Sequence, residues 1–249
     1  LKYYIEEGGG YNDITPIRQT TAAGDVTFSA TDGSSVITET DSNHGCFVHD
    51  FVTFSDAVTL GGNITGPVLN QEYQITSIVD GNNYTIEARD VASLNAITID
   101  GQYTPTLIVA NASDTGNGGS STVGAYQVNS GLDTTVLGTG WGAGTWGRGT
   151  WGSGASLTVT GEILRIWSHD NFGEDLIINV RDGGIFYWDK STSSAPFARA
   201  VALSDLAGAD SATPTIAKQV VVSDRDRHIL VFGCDPIDNI GTQDPLLIR

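Results

Sequence analysis

The sequence predicts an all-β protein: a small antiparallel β-barrel or sandwich, followed by strand pairs spaced as in a β-propeller, present in part. Three observations lead there. Short runs of alternating apolar and polar residues recur between residues 25 and 88, each bounded by Asp, Asn or Gly. The last third carries continuous apolar runs, the pattern of strands covered on both faces. Helical character is confined to "ALSDLAGA" (202–209), about two turns at the usual rise.

Residues 1–20, with "KYYIEE", supply an N-terminal strand of the body. The small β domain spans 21–108, with strands at "DVTFSA" (25–30), "SVITET" (35–40), "FVTFSD" (51–56), "EYQITSIV" (72–79) and "NYTIEA" (83–88). Its turns at "TDGS", "LGGN" and "VDGNN" use residues that accept left-handed backbone angles. Residues 109–160 are rich in Gly, Ser and Thr and bury too little apolar surface to order themselves, so they read as loop or linker. In 161–249, "DLIINV" pairs with "IFYWD" across "RDGG", and "QVVVSD" pairs with "ILVFGCD" across "SDRDR". Turn residues Asp182 and Asp224 are 224 − 182 = 42 positions apart, which matches a propeller blade period of roughly 40–45 residues. A propeller closes with at least about four blades. The chain also has no Met, begins at Leu1 and stops in the apolar "DPLLIR", so it is expected to be a portion of a longer protein.

Twelve basic against 29 acidic residues give a net charge of −17. Such a surface repels phosphate backbones and anionic headgroups, which excludes a nucleic-acid grip as the expected function. The acidic residues are scattered, as on a solvated globular surface, and 39% hydrophobic content argues against disorder. No stretch approaches the roughly 20 apolar residues of a membrane-spanning helix. Cys46 and Cys234 show no framework spacing and read as two separate buried thiols, with a disulfide as the minority option.

Four patterns suggest chemistry, and each has a structural alternative. "NHGCFVHD" gathers His44, Cys46, His49 and Asp50, but alternation on a strand sends His44 and His49 to opposite faces. A turn leading into "FVTFSD" accounts for the same residues, and no metal is expected. Ser168, His169 and Asp170 are adjacent along one strand, whereas a catalytic triad converges in space. Glu6, Glu7, Glu162, Glu174 and Asp175 offer the two carboxylates of a glycosidase, a weak signal in so acidic a chain. "DPIDNIGTQD" supplies oxygens without the ordered ligand spacing of a calcium loop. Neither a catalytic residue nor a cofactor is therefore expected.

"GWGAGTWGRGTWGSGA" places Trp141, Trp146 and Trp151 five residues apart in a glycine frame. Glycine turns let each ring be placed independently. The three rings read as anchors that pin the segment to a neighbouring surface or subunit. Membrane-interface insertion and sugar stacking are the alternatives.

"YNDITPIR" (11–18), the small β unit, "GWGAGTWGRGTWG", "LRIWSHDNFGEDLIINVRDGGIFYWD" and "GTQDPLLIR" together resemble bacteriophage virion proteins, most of all the nozzle or tail-hub proteins of short-tailed phages. The resemblance touches nearly the whole chain and rests on structural motifs. It implies a propeller-like body with an inserted small β domain, in a ring-shaped homo-oligomer, a hexamer, around the channel through which DNA leaves. It also implies adaptor and fibre proteins as partners, residence in the virion, and no enzymatic activity. Cys46 and His49 depart from the small or polar residues expected at their positions. The alternative functions are a host-surface glycan-binding adhesin and, behind it, a glycan depolymerase.

Overall fold

The computed structural model describes residues 2–90, 106–129, 166–192, 198–223 and 225–249. These residues form an all-β structure of several antiparallel sheets with almost no helix. The chain opens with a hairpin, β1 (Tyr4–Glu7) against β2 (Gly10–Asp13), and "KYYIEE" is thus a strand.

Two four-stranded sheets follow. One has the order β3 (Ile17–Thr20), β10 (Val123–Gln127), β6 (Phe51–Ser55), β7 (Glu72–Gln74); the other β4 (Thr27–Ala30), β5 (Val36–Thr40), β9 (Asn83–Glu87), β8 (Ser77–Ile78). Alternation decides what lies between them. Phe28, Ile37, Val52, Phe54, Tyr73, Tyr84, Ile86 and Tyr126 turn inward into one core. Phe28 meets Phe54 edge-on at 5.0 Å, a favoured aromatic arrangement. Neither sheet closes into a barrel among the described residues.

The first of these sheets reaches beyond the expected 21–108 bounds at both ends. Its neighbours β3 and β10 are the strands by which the chain enters and leaves the unit. "EYQITSIV", read as one strand, is two: β7 belongs to one sheet and β8 to the other. The chain changes sheets at Ile75 and Thr76, whose amides donate to Asp50 and Thr85 carbonyls respectively.

Part of the stretch expected as loop or linker is ordered. Ala110 and Tyr126 bury their side chains in the core of the small unit, and backbone bonds with one carboxylate order the residues between them. Phe28 N donates to Asn117 O, Val58 N to Gly118 O and Gly116 N to Leu60 O. Buried Asp114 accepts from the amides of Gly62, Asn63, Ile64 and Asn111 at 2.8–3.0 Å. Only glycine fits at position 62, because a Cβ there would lie 2.3 Å from Asn111 Oδ1. The remaining residues of that stretch lie outside those described.

The last third builds a four-stranded meander, β11 (Trp167–Phe172), β12 (Asp175–Val180), β13 (Ile185–Trp188) and β14 (Val201–Ala202), and a hairpin, β15 (Gln219–Val222) with β16 (Ile229–Phe232). Both hairpins expected from the apolar runs are present. β12 is covered on both faces: Ile178 and Val180 join Ile14, Phe186 and Trp188 in one core, with Tyr3 and Ile5 against it. Ile177 joins Val220, Val222 and Val231 in another. The meander thus lies between the N-terminal hairpin and β15–β16. Side chains of β11 complete the second contact, as Val222 N donates to Asp170 Oδ2 at 2.8 Å and Ser168 Oγ to Val220 O at 3.2 Å. Asp182 holds its turn at φ 57°; Asp224 lies outside the described residues. No propeller ring closes among the described residues.

The expected helix at 202–209 is a correction. Residues Leu203–Asp205 form one 3-10 turn, and Gly208 at φ +92° breaks the continuation of a segment too short to sustain a helix. A single α-turn, α1 (Gly66–Leu69), instead begins beside Pro67, whose fixed φ suits a helix start. Among the described residues no helix is long and apolar enough to cross a membrane.

One inward position of β5 is polar. Glu39, fully buried, pairs across the strands with Tyr84. Burial raises its carboxyl, the Tyr84 hydroxyl partly offsets this and the Asp41 charge adds to it, leaving the group at about 9. The unfolded chain ionises Glu39 in the ordinary carboxylate range. The stability carried by the neutral form is therefore full below that range, falls as pH rises, and is lost once pH passes about 9. Unfolding free energies from urea titrations between pH 5 and 9 should decline with a component of up to about 1.4 kcal/mol per pH unit that Glu39→Gln abolishes.

Candidate functional site

The three tryptophans singled out by the sequence, Trp141, Trp146 and Trp151, lie outside the described residues. Within them, the densest gathering of charge sits where the small β unit meets the body. Lys2 precedes β1, Asp13 ends β2, Glu72 opens β7, and Arg199 stands just before β14. Lys2 Nζ lies 2.9 Å from Asp13 Oδ2 and also pairs with Glu72. Arg199 Nη1 lies 2.5 Å from Asp13 Oδ1, and its Nη2 2.7 Å from Glu72 Oε2. Two cations and two carboxylates thus alternate around one largely buried cluster.

Every neighbour tightens this cluster. Gln127 donates its amide to Glu72, the Arg89 guanidinium donates to the Glu72 carbonyl, and Lys2 Nζ sits 4.1 Å from the Phe51 ring centroid. Burial alone would raise the Asp13 carboxyl. Lys2, the Thr15 hydroxyl and amide, and Arg199 outweigh burial and hold it below its ordinary range. The crossing segment is fixed beside the cluster: Ala200 N donates to Ile14 O, Ile17 N to Ala200 O, and Val128 N to Pro16 O. Chemically the arrangement holds two β bodies in register. It presents no nucleophile and no paired acid and base.

The "NHGC" residues are consumed by the fold. His44 Nδ1 accepts from Cys46 N at 3.0 Å, which leaves Nε2–H to donate to Asp80 O at 3.1 Å, and the ring packs on Tyr84. Arg18 donates to the His44 carbonyl and lies 3.0 Å from Cys46 Sγ. Asp50 Oδ2 accepts from Phe47 N and Asn129 Nδ2, and His49 occupies a turn at φ 74°. Cys46 and Cys234 are unpaired and lie in different cores. Burial drives the Cys46 thiol up to about 12 despite the Arg18 charge.

Ser168 and Asp170 point to the β15 side of β11, whereas His169 turns the other way, its ring 5.8 Å from that of Tyr3. The strand alternation that argued against a triad is what separates them. Among the carboxylates, Glu6 accepts from Gly9 N, and Asp175 accepts from Tyr187 and Lys190 N. Glu162 lies outside the described residues. In "DPIDNIGTQD", Asp235 accepts from Thr215 and Gly241 and so fastens its own loop. Among the described residues no group of three His, Cys, Asp or Glu side chains is arranged to hold a metal ion.

Lys2, Asp13, Glu72 and Arg199 escaped the reading of the sequence. They come from four separate segments, and Arg199 stands 199 − 2 = 197 positions from Lys2. No local motif could have announced them.

No family model and no curated protein matches the chain. Among solved structures it is similar to the phage phi92 endosialidase, at 13% identity over 86% of this chain and 27% of that one, with a TM-score of 0.24. The likeness is too slight to bear on fold or activity.

Removing the shared carboxylate with Glu72→Ala should cost about 2–3 kcal/mol in urea unfolding, since two cations lose a partner inside a largely buried cluster. Arg181→Ala, which breaks an exposed 4.0 Å pair with Asp182, should change stability by less than about 0.5 kcal/mol. Both thiols should resist iodoacetamide at pH 8 in the folded chain and react together in urea, read by intact mass.

Proposed function

We propose that this chain is a non-enzymatic structural protein of a bacteriophage tail, of the nozzle or tail-hub type. In this reading a ring-shaped homo-oligomer, a hexamer, builds part of the DNA ejection channel within the virion, joined to adaptor and fibre proteins. The observation that carries it is the junction: two β bodies locked by a neutral, largely buried ion cluster, with the reactive side chains His44 and Cys46 of the small unit spent on structure. Rigidity of that kind suits a scaffold more than a catalyst.

Other features support the same reading. The sequence resembles that family along nearly its whole length. Three β layers covered face to face suit successive blades of a propeller-like body. Entry and exit by adjacent strands suit an inserted small domain. A net charge of −17 repels DNA, so a duplex would slide past without being gripped. The tryptophan loop would anchor each subunit to the next across a head-to-tail interface. A second reading, a glycan-binding adhesin, draws on those tryptophans and on an aromatic-lined groove beside β11.

Negative-stain imaging with mass photometry should find a ring whose hole is about 20 Å or wider, enough for duplex DNA. Replacing Trp141, Trp146 and Trp151 together by Ala should dissociate that ring while leaving the far-UV spectrum unchanged. A native monomer or a solid trimer would turn the assignment to the adhesin.

A further inference from the structure

A groove of about 670 Å³ opens where strand ends of the meander and of β15–β16 converge. Its position follows from the backbone. Arg181 N donates to Ile166 O, Gly183 and Ala217 form an antiparallel bridge, and Lys218 N donates to Phe232 O. Those bonds bring the start of β11, the β12–β13 turn and both ends of the last hairpin to one rim. Gly233 lets the Lys218 stem lie across the backbone; a Cβ there would come within 2.9 Å of Lys218 Cγ.

The composition of the groove departs from that of the chain. In a protein with 29 acidic residues, none of the residues lining it is Asp or Glu, whereas Arg181 and Lys218 are both among them. Arg181 is only weakly engaged, by an exposed pair with Asp182 at 4.0 Å. Trp167, Phe232 and Gln219 also line it. Tyr3 steadies the Trp167 side, with ring centroids 5.2 Å apart.

We propose that this groove binds a carboxylate-bearing sugar of an acidic glycan. A carboxylate is the anion that Arg181 and Lys218 can share. The rings offer apolar faces to sugar C–H groups, and Gln219 can exchange hydrogen bonds with hydroxyls. The volume falls in the range that holds a ligand of two or three sugar rings. A densely charged polyphosphate is disfavoured, because two cations can match only a small part of its charge and the rest would face a chain of net charge −17. The assignment holds whether or not the chain forms a channel ring.

The test is titration calorimetry of the intact chain with trigalacturonate and, as the uncharged probe, maltotriose. Trigalacturonate should bind and weaken as salt rises, with maltotriose at least about tenfold weaker. Lys218→Gln and Arg181→Gln should each reduce trigalacturonate affinity about tenfold, whereas Arg225→Gln, an exposed site not among the lining residues, should leave it unchanged. Equal binding of both sugars, no binding of either, or affinity indifferent to Lys218 and Arg181 would each overturn the proposal. Unchanged urea midpoints in the variants separate a lost contact from a lost fold.

Discussion

Four charges from four separate segments set the geometry of this molecule. Lys2, Asp13, Glu72 and Arg199 alternate in sign, so each carboxylate meets both cations and the cluster is neutral as a whole. That balance matters in a chain of net charge −17, where bringing two more carboxylates together without cations would add repulsion to desolvation. Because the partners come from the N-terminal hairpin, the small unit and the segment before β14, the full set of pairs closes only when all three are in place. The cluster therefore selects one docking arrangement, and the backbone bonds between Ile14, Ile17 and Ala200 hold it.

The same crossing explains how one chain makes two bodies without a loose hinge. β3 and β10 are neighbours, so the small unit is reached and left through paired strands. The crossing is further narrowed where Val128 N donates to Pro16 O. Contacts between residues more than a hundred positions apart are thus built into the base of the unit, a topology that costs loop-closure entropy during folding and returns it as rigidity afterwards.

Strands were legible wherever burial depends on a local period. The runs ending at Glu87 and the continuous apolar run of β12 both appear close to their expected bounds, since period-two alternation and double-sided burial leave their mark residue by residue. Legibility failed where the cause is distant. Nothing local reveals that the chain changes sheets at Ile75, or that Asp114 gathers four amides to order a glycine-rich stretch. The same holds for the charge cluster, which is the candidate site best supported by geometry and the one least visible in the sequence. "NHGC" shows the converse: a conspicuous motif whose donors and acceptors satisfy one another.

The bond between β11 and β15 has a mechanical consequence. Sheets stacked through apolar side chains alone are held by interdigitation and by contacts that have no direction of their own. Asp170 and Ser168 reach across and take the amide and carbonyl positions that a neighbouring strand would use. Those bonds are directional, so displacement along the strand axis must break them together. The layers consequently carry load as one block, stiffest against shear in the direction in which their strands run.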